Sequence, residues 1–208
     1  MVMKIGVIQA SSQAEKNQLL FETVEKYAAN AEIINFGCTE NEQDRFSYVE
    51  IAVLAGLLLA SGAVDFIVTG CSSGQGMMLA CNSFPGVLCG YAPSPMDAYL
   101  FVQINNGNAV SLPLGENYTW SGHENFENTI ARLFSEPFGQ GYPKGEASRK
   151  IRDTLLLKSI RRNAQVSAVE LLDSLDKPFV EHLMRKENVI RYILEHGNTE
   201  ITDWLKRQ

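Results

Sequence analysis

Short apolar runs alternate along the chain with stretches whose apolar residues recur at helical spacing. The runs KIGVIQ (residues 4–9), EIINFG (32–37), VDFIVTG (64–70), GVLCGYA (86–92) and NAVSLPL (108–114) predict strands. Most are apolar throughout rather than alternating, the pattern of strands covered on both faces. Between them, QAEKNQLLFETVEKYAAN sets Leu19, Leu20, Val24 and Tyr27 on one helical face, with Ser11 or Ser12 as the expected cap. SYVEIAVLAGLLLASG is a second helix closed by Gly62, and GMMLACNSF a third starting near Gly76. Ser-Pro opens a fourth, SPMDAYLFVQIN, and HENFENTIARLFSE is a helix after the last strand.

This alternation predicts parallel βαβ units, and right-handed crossovers then give an open, doubly wound α/β sheet. Such sheets bind ligands outside the carboxyl ends of their strands, near the switch in strand order. The loops to inspect are therefore 9–13, 37–44, 70–76, 92–95 and 112–122. After FGQGYPKGEA (138–147) only helical patterns follow. The chain is thus read as an α/β domain over residues 1–145 and a helical extension over 146–208. The extension is short for a core of its own, so it is expected to pack on the α/β domain or on a neighbouring subunit.

Composition narrows the class. Across 208 residues the chain is 45% hydrophobic and 20% charged, with a net charge of −6. That balance offers no bulk electrostatic attraction for nucleic acid. The longest apolar stretch, 51–63, is too short to span a membrane, and the chain starts directly in a strand, so a cytoplasmic location is expected. The four cysteines, at 38, 71, 81 and 89, form no CxxC pair, and the three histidines are scattered. That spacing argues against a structural zinc site and gives no disulfide framework; no metal and no cofactor are expected.

The sharpest chemistry lies in VDFIVTGCSSGQGMMLACNSFPG, residues 64–86. Gly70, Gly74 and Gly76 permit a tight turn close to a ligand. The backbone N–H groups from Ser73 to Gly76 open a helix, which suits a phosphate, a carboxylate or a transient enediolate. Cys71 stands at the base of that turn, where a helix N-terminus favours the thiolate, a nucleophile or proton-abstracting base. The competing reading is a strand-end cysteine packed as a small hydrophobe. The loop is neither a Walker motif nor GxGxxG. Cys81 and Cys89 read as core.

These residues resemble the type B ribose-5-phosphate isomerase and galactose-6-phosphate isomerase family. That family carries an aspartate-bearing strand, then Cys-Gly-Thr-Gly-x-Gly, then a helix with an Asn and Pro-Gly. Here CSSGQGMMLACNSFPG follows the run, with Ser72 in place of Gly and Ser73 in place of Thr. PMDAYLFVQINNGNAVSL is similar to the family's next helix and strand, and FGQGYP to its later glycine element, so the likeness covers residues 3–143. The resemblance implies a Rossmann-like three-layer α/β/α fold with a five-stranded parallel sheet. It implies aldose–ketose isomerisation through a cis-enediol without a metal. Cys71 would be the base, and Ser73 would contact the substrate beside it. Ser72, Gly74 and Gly76 would line the site, and Asn105 would bind a substrate hydroxyl. Homodimers or homotetramers with sites at subunit interfaces would follow.

The departures from the family are specific. Ala10 and Ser11 stand in place of an Asp-His pair, Ile104 in place of a His, and Tyr142-Pro143 in place of Arg-His. In the family these side chains open the ring and hold the phosphate. Their replacement, with the helical extension, resembles the 4-deoxy-L-threo-5-hexosulose-uronate ketol-isomerase branch, whose open-chain substrate needs no ring opening. Ser11 and Tyr142 would then line the site. Arg149 and Arg152 share a helix face and suit a carboxylate, or else belong to a solvated basic face. Two other readings stay open: isomerisation of a phosphorylated sugar, and noncatalytic binding of a sugar acid.

Overall fold

A computed structural model describes residues 2–116 and 121–208. The expected loop 112–122 therefore contains residues, 117–120, that lie outside the described ones. The sheet has the order β2-β1-β3-β5-β4, every pair parallel. Its strands are β1 (Met3–Gln9), β2 (Ala31–Asn35), β3 (Phe66–Cys71), β4 (Cys89–Tyr91) and β5 (Ala109–Pro113). The central strands β3 and β5 are buried at every position, which is why their sequences carry no alternation.

Helices cover both faces. On one side lie α1 (Asn17–Tyr27), α4 (Pro95–Leu100) and α5 (Gly122–Leu133), packed with Ile5, Val7, Val68 and Val110. On the other lie α2 (Tyr48–Ala60) and α3 (Gln75–Ser83), packed with Ile8 and Ile67. The chain moves to β2 by way of α1, reverses through α2 and α3, and returns from β4 to β5 by way of α4. Each reversal of direction is matched by a change of face, so the crossovers share one hand, as twisted parallel sheets require. The first reversal falls between β1 and β3, and the carboxyl ends of those two strands form the crevice.

Local chemistry explains the boundaries. Ser47 and Glu50 form a capping box at the start of α2, and Gly62 at φ +70° follows its end. Ser94 caps α4 with Pro95 at its first position. Asn82 ties α3 to the edge strand, its side chain bonding both the Cys89 carbonyl (2.8 Å) and the Cys89 N–H (3.1 Å). Two expectations change. The fourth helix stops at Leu100 and becomes a π-helical turn, Phe101–Asn105, closed by Asn106 in the left-handed region. The Phe101 ring fills the space where Gly90 and Gly107 lack side chains, and that packing holds the wider turn. Ser11 caps nothing: a 3-10 segment, Ser11–Lys16, precedes α1, and its hydroxyl takes the Phe46 N–H at 2.8 Å.

The extension continues with α6 (Ala147–Ala164), α7 (Ala168–Asp173), α8 (Lys177–Leu183), α9 (Glu187–His196) and α10 (Thr199–Leu205). Leu172, Leu183, Ile193, Ile201 and Trp204 join the same hydrophobic cluster as α2. Asn198 caps α10 and also donates to the Ala60 carbonyl at the end of α2. By contrast α6 buries only Thr154 and leaves Leu155, Leu156 and Ile160 exposed. Among the described residues no helix is long and apolar enough to cross a membrane.

Candidate active site

The loop after β3 is built from its neighbours outward. Gly70 has no room for a side chain, since a Cβ would lie 2.5 Å from the Leu112 carbonyl oxygen. Leu114 and Gly115, just past β5, donate to the Cys71 and Ser72 carbonyls at 3.0 and 2.9 Å. The buried Ser111 hydroxyl donates to the Gly74 carbonyl at 2.7 Å. Gly74 then turns the chain at φ +75° into α3. The Cys71, Ser72 and Gly74 carbonyls are thus taken by β5, the residues just past it and α3. The N–H groups of Ser73, Gly74, Gln75 and Gly76 donate to no acceptor among the described residues. They are the orphan donors of a helix start, gathered beside a strand end.

Cys71 closes β3 as a buried residue, at 8% exposure. Burial pushes the Cys38 thiol up. A hydrogen bond shared with Cys81, then burial, pushes the Cys89 thiol up further. Both stay protonated inside the fold.

The facing wall comes from β1. Ser11 is buried, with its hydroxyl on Phe46 and its carbonyl accepting from Arg45 at 3.1 Å. Gln13 reaches across the crevice to the Ser72 hydroxyl at 3.0 Å. Tyr91 packs where a Gly74 side chain would stand, and Tyr48 lies 3.4 Å from the equivalent position at Gly76. Gln13, Arg45, Tyr48 and Tyr91 were not marked by any motif. Arg45 lies just past the inspected loop 37–44, and Tyr48 opens α2.

The remaining candidates gather elsewhere. Asn105 leads into β5 at the amino end of the sheet, while Cys71 pairs with Pro113 at the other end. The strand between them spans about 13 Å. Around Asn105, Thr154 and Lys158 of α6 donate to the Ile104 and Asn106 carbonyls. Tyr142 is exposed and stacks edge-on to Tyr99, centroids 5.6 Å apart. Arg149 pairs with Glu146 and Asp153, and Arg152 with the same Asp153 at 3.1 Å. Asn105, Tyr142, Arg149 and Arg152 therefore do not join the Cys71 loop within one chain. Among the described residues no cluster of His, Cys, Asp or Glu could hold a metal ion.

A family model described as ribose/galactose isomerase matches residues 5–152. A solved 4-deoxy-L-threo-5-hexosulose-uronate ketol-isomerase, complexed with a tartrate, is 38% identical. It superposes with a TM-score of 0.92, covering 99% of this chain and 98% of its own. A ribose-5-phosphate isomerase from Vibrio parahaemolyticus is 33% identical, with a TM-score of 0.91 and the same coverage. Type B ribose 5-phosphate isomerase from Trypanosoma cruzi, 21% identical, shares the fold at a TM-score of 0.65, covering 79% of this chain and 100% of its own. No curated protein sequence matches the chain.

Proposed function

The chain belongs to the ribose/galactose isomerase family and is a sugar isomerase; from that premise we propose that it interconverts an aldose and a ketose of an open-chain uronate. The observation that carries the reading is Cys71 at the end of β3 beside the N–H groups of Ser73 to Gly76, which meet no acceptor among the described residues. The thiolate of Cys71 takes the proton from the carbon beside the aldehyde. The C–H electrons form the enediolate double bond, and the carbonyl oxygen becomes an anion held by those N–H groups. The hydroxyl proton moves between the two oxygens, and the thiol returns its proton to the former aldehyde carbon. Nothing is gained or lost overall, so one base suffices.

The open-chain substrate is supported by the wall opposite. Ala10 carries no acid–base group, and the Ser11 hydroxyl oxygen accepts from the Phe46 N–H. That wall can hold a sugar and cannot open its ring. A uronate is supported by likeness to a uronate ketol-isomerase. The second reading, a sugar phosphate, is favoured by likeness to the Vibrio parahaemolyticus enzyme.

The distance between Asn105 and Cys71 supports a homo-oligomer with shared sites. Leu155, Leu156 and Ile160 of α6 are exposed. Tyr48, Val49, Gly76, Leu79 and Phe179 line an apolar groove of about 520 Å³ beside the Cys71 loop. A second copy laying its α6 there would bring Arg149 and Arg152 toward a substrate carboxylate.

The test is incubation with 4-deoxy-L-threo-5-hexosulose uronate in deuterated water. Label should enter beside the carbonyl, and the exchange should vanish in Cys71→Ala and Cys71→Ser while both remain folded. Full exchange in both variants would remove Cys71 as the base. Ribose 5-phosphate turned over in place of the uronate would establish the second reading.

A further inference from the structure

We infer that Gln13 and Ser72 form a pair that reads one neutral hydroxyl of the substrate and keeps its anionic end away from β1; the inference rests on the isomerase site described above. Gln13 is held rigidly. It interrupts the 3-10 segment at φ −127°, its N–H donates to the Ala10 carbonyl at 2.9 Å, and its carbonyl accepts from the Gln9 side chain at 3.3 Å. The residue is buried, at 6% exposure. The amide nitrogen donates to the Ser12 carbonyl at 2.7 Å and to the Ser72 hydroxyl at 3.0 Å.

A carbonyl oxygen only accepts, so the Ser12 contact fixes which end of the amide is nitrogen. The other end, Oε1, is buried and has no partner among the described residues. A buried acceptor left bare is costly, and functional sites are where such a cost is retained. Meanwhile the Gln13 amide occupies a lone pair of the Ser72 oxygen and so turns the Ser72 proton away from itself. Ser72 adjoins Cys71. The corner therefore presents one acceptor, Gln13 Oε1, and one donor, the Ser72 O–H, side by side. An alcohol satisfies both at once, donating to the first and accepting from the second. A carboxylate or phosphate has no proton for Oε1 and is repelled by it. The acid group of the substrate then lies on the far side of the reacting carbons, leaving a chain hydroxyl against β1.

The experiment uses the full chain and two probes: turnover of 4-deoxy-L-threo-5-hexosulose uronate, and calorimetric binding of gluconate, a linear hydroxy acid that cannot react. Gln13→Met keeps the length and removes both polar ends. It should raise the uronate KM and the gluconate Kd about tenfold, the size of one or two neutral hydrogen bonds, with kcat and melting temperature nearly unchanged. Adding Gln13→Met to Ser72→Ala should cost less than the two losses combined, because Gln13 orients Ser72. Binding of propionate, which lacks hydroxyls, should not respond. KM and Kd within twofold of wild type in Gln13→Met, fully additive losses, or absence of gluconate binding would each overturn the inference. Gluconate binding that depends on Gln13 without uronate turnover would leave the pair standing and refute the proposed substrate.

Discussion

Replacing Gly74 with alanine should cripple the enzyme through backbone geometry alone. Gly74 sits at φ +75°, where an L side chain costs roughly 1 kcal/mol. Its new Cβ would also stand 2.8 Å from the Leu112 carbonyl carbon and from the Tyr91 ring. Leu112 belongs to a central strand and cannot yield, so overpacking adds roughly 2 kcal/mol. The sum, about 3 kcal/mol, corresponds to a fall in melting temperature of about 6–12 °C for a chain of this size. Gly62 supplies the control. It has φ +70° and nothing within 4 Å of its ideal Cβ, so Gly62→Ala should cost only about 1 kcal/mol, or about 2–4 °C. The two variants share one strain and differ in one clash. Turnover separates them further. A shifted Gly74 swings the N–H groups that hold the enediolate, and losing one such donor costs about 100-fold in kcat. Gly62→Ala should keep wild-type kcat. If Gly74→Ala melts with Gly62→Ala and turns over at the wild-type rate, the amide bed is not what steadies the developing charge.

Other consequences concern the rim of the site and its charges. Glu42→Gln strips the counter-charge from Lys186, whose side chain is only 2% exposed. The stranded ammonium should cost about 3 kcal/mol, and denaturant titration would read it; a loss under 1 kcal/mol would show the ion to be hydrated. Burial alone would raise the Glu50 carboxyl, yet bonds from the Ser47 N–H, His182 and the Ser47 hydroxyl hold it below its ordinary value of 4.5. Folding therefore favours ionised Glu50, a contribution complete above pH 4.5 and lost as pH falls through the lowered value. Glu50→Gln should flatten part of the acid limb in a pH series of melting temperatures, and an unchanged limb would refute the linkage. Arg152→Ala should raise KM for the uronate with little change in kcat if a second copy delivers α6 to the site, and an unaltered KM would leave Arg152 on a solvated face.

What the residues revealed in advance divides along a physical line. β3 and β5 were legible because a strand buried on both faces must be apolar at every position. Cys71 and its glycines were legible because a tight turn into a helix needs glycine. The break of the fourth helix at Phe101 was not, because its cause lies in Gly90 and Gly107, on two other segments. The helix signal at Ser11 was misleading for a similar reason. Serine before a helix is usually a cap, but here the Phe46 N–H, brought back by the β2–α2 loop, claims its oxygen. Gln13 and Tyr91 carry no local signature, because what matters in them is a neighbour distant in sequence.

The extension bears on the site through that same loop. Around the end of α8, His182 meets Glu50, Arg185 meets Asp44 at 3.2 Å and Lys186 meets Glu42 at 2.5 Å. His182 also stacks on Phe46. Basic groups of the added helices thus grip acidic groups of the segment that returns Arg45 and Phe46 to Ser11. The Trypanosoma cruzi enzyme is matched over its whole length by only 79% of this chain, whereas both neighbours above 30% identity match nearly all of it. Where the family's Asp-His pair would stand, this chain has a serine that acts as a strut. The strut is set by a loop that the extra helices hold in place.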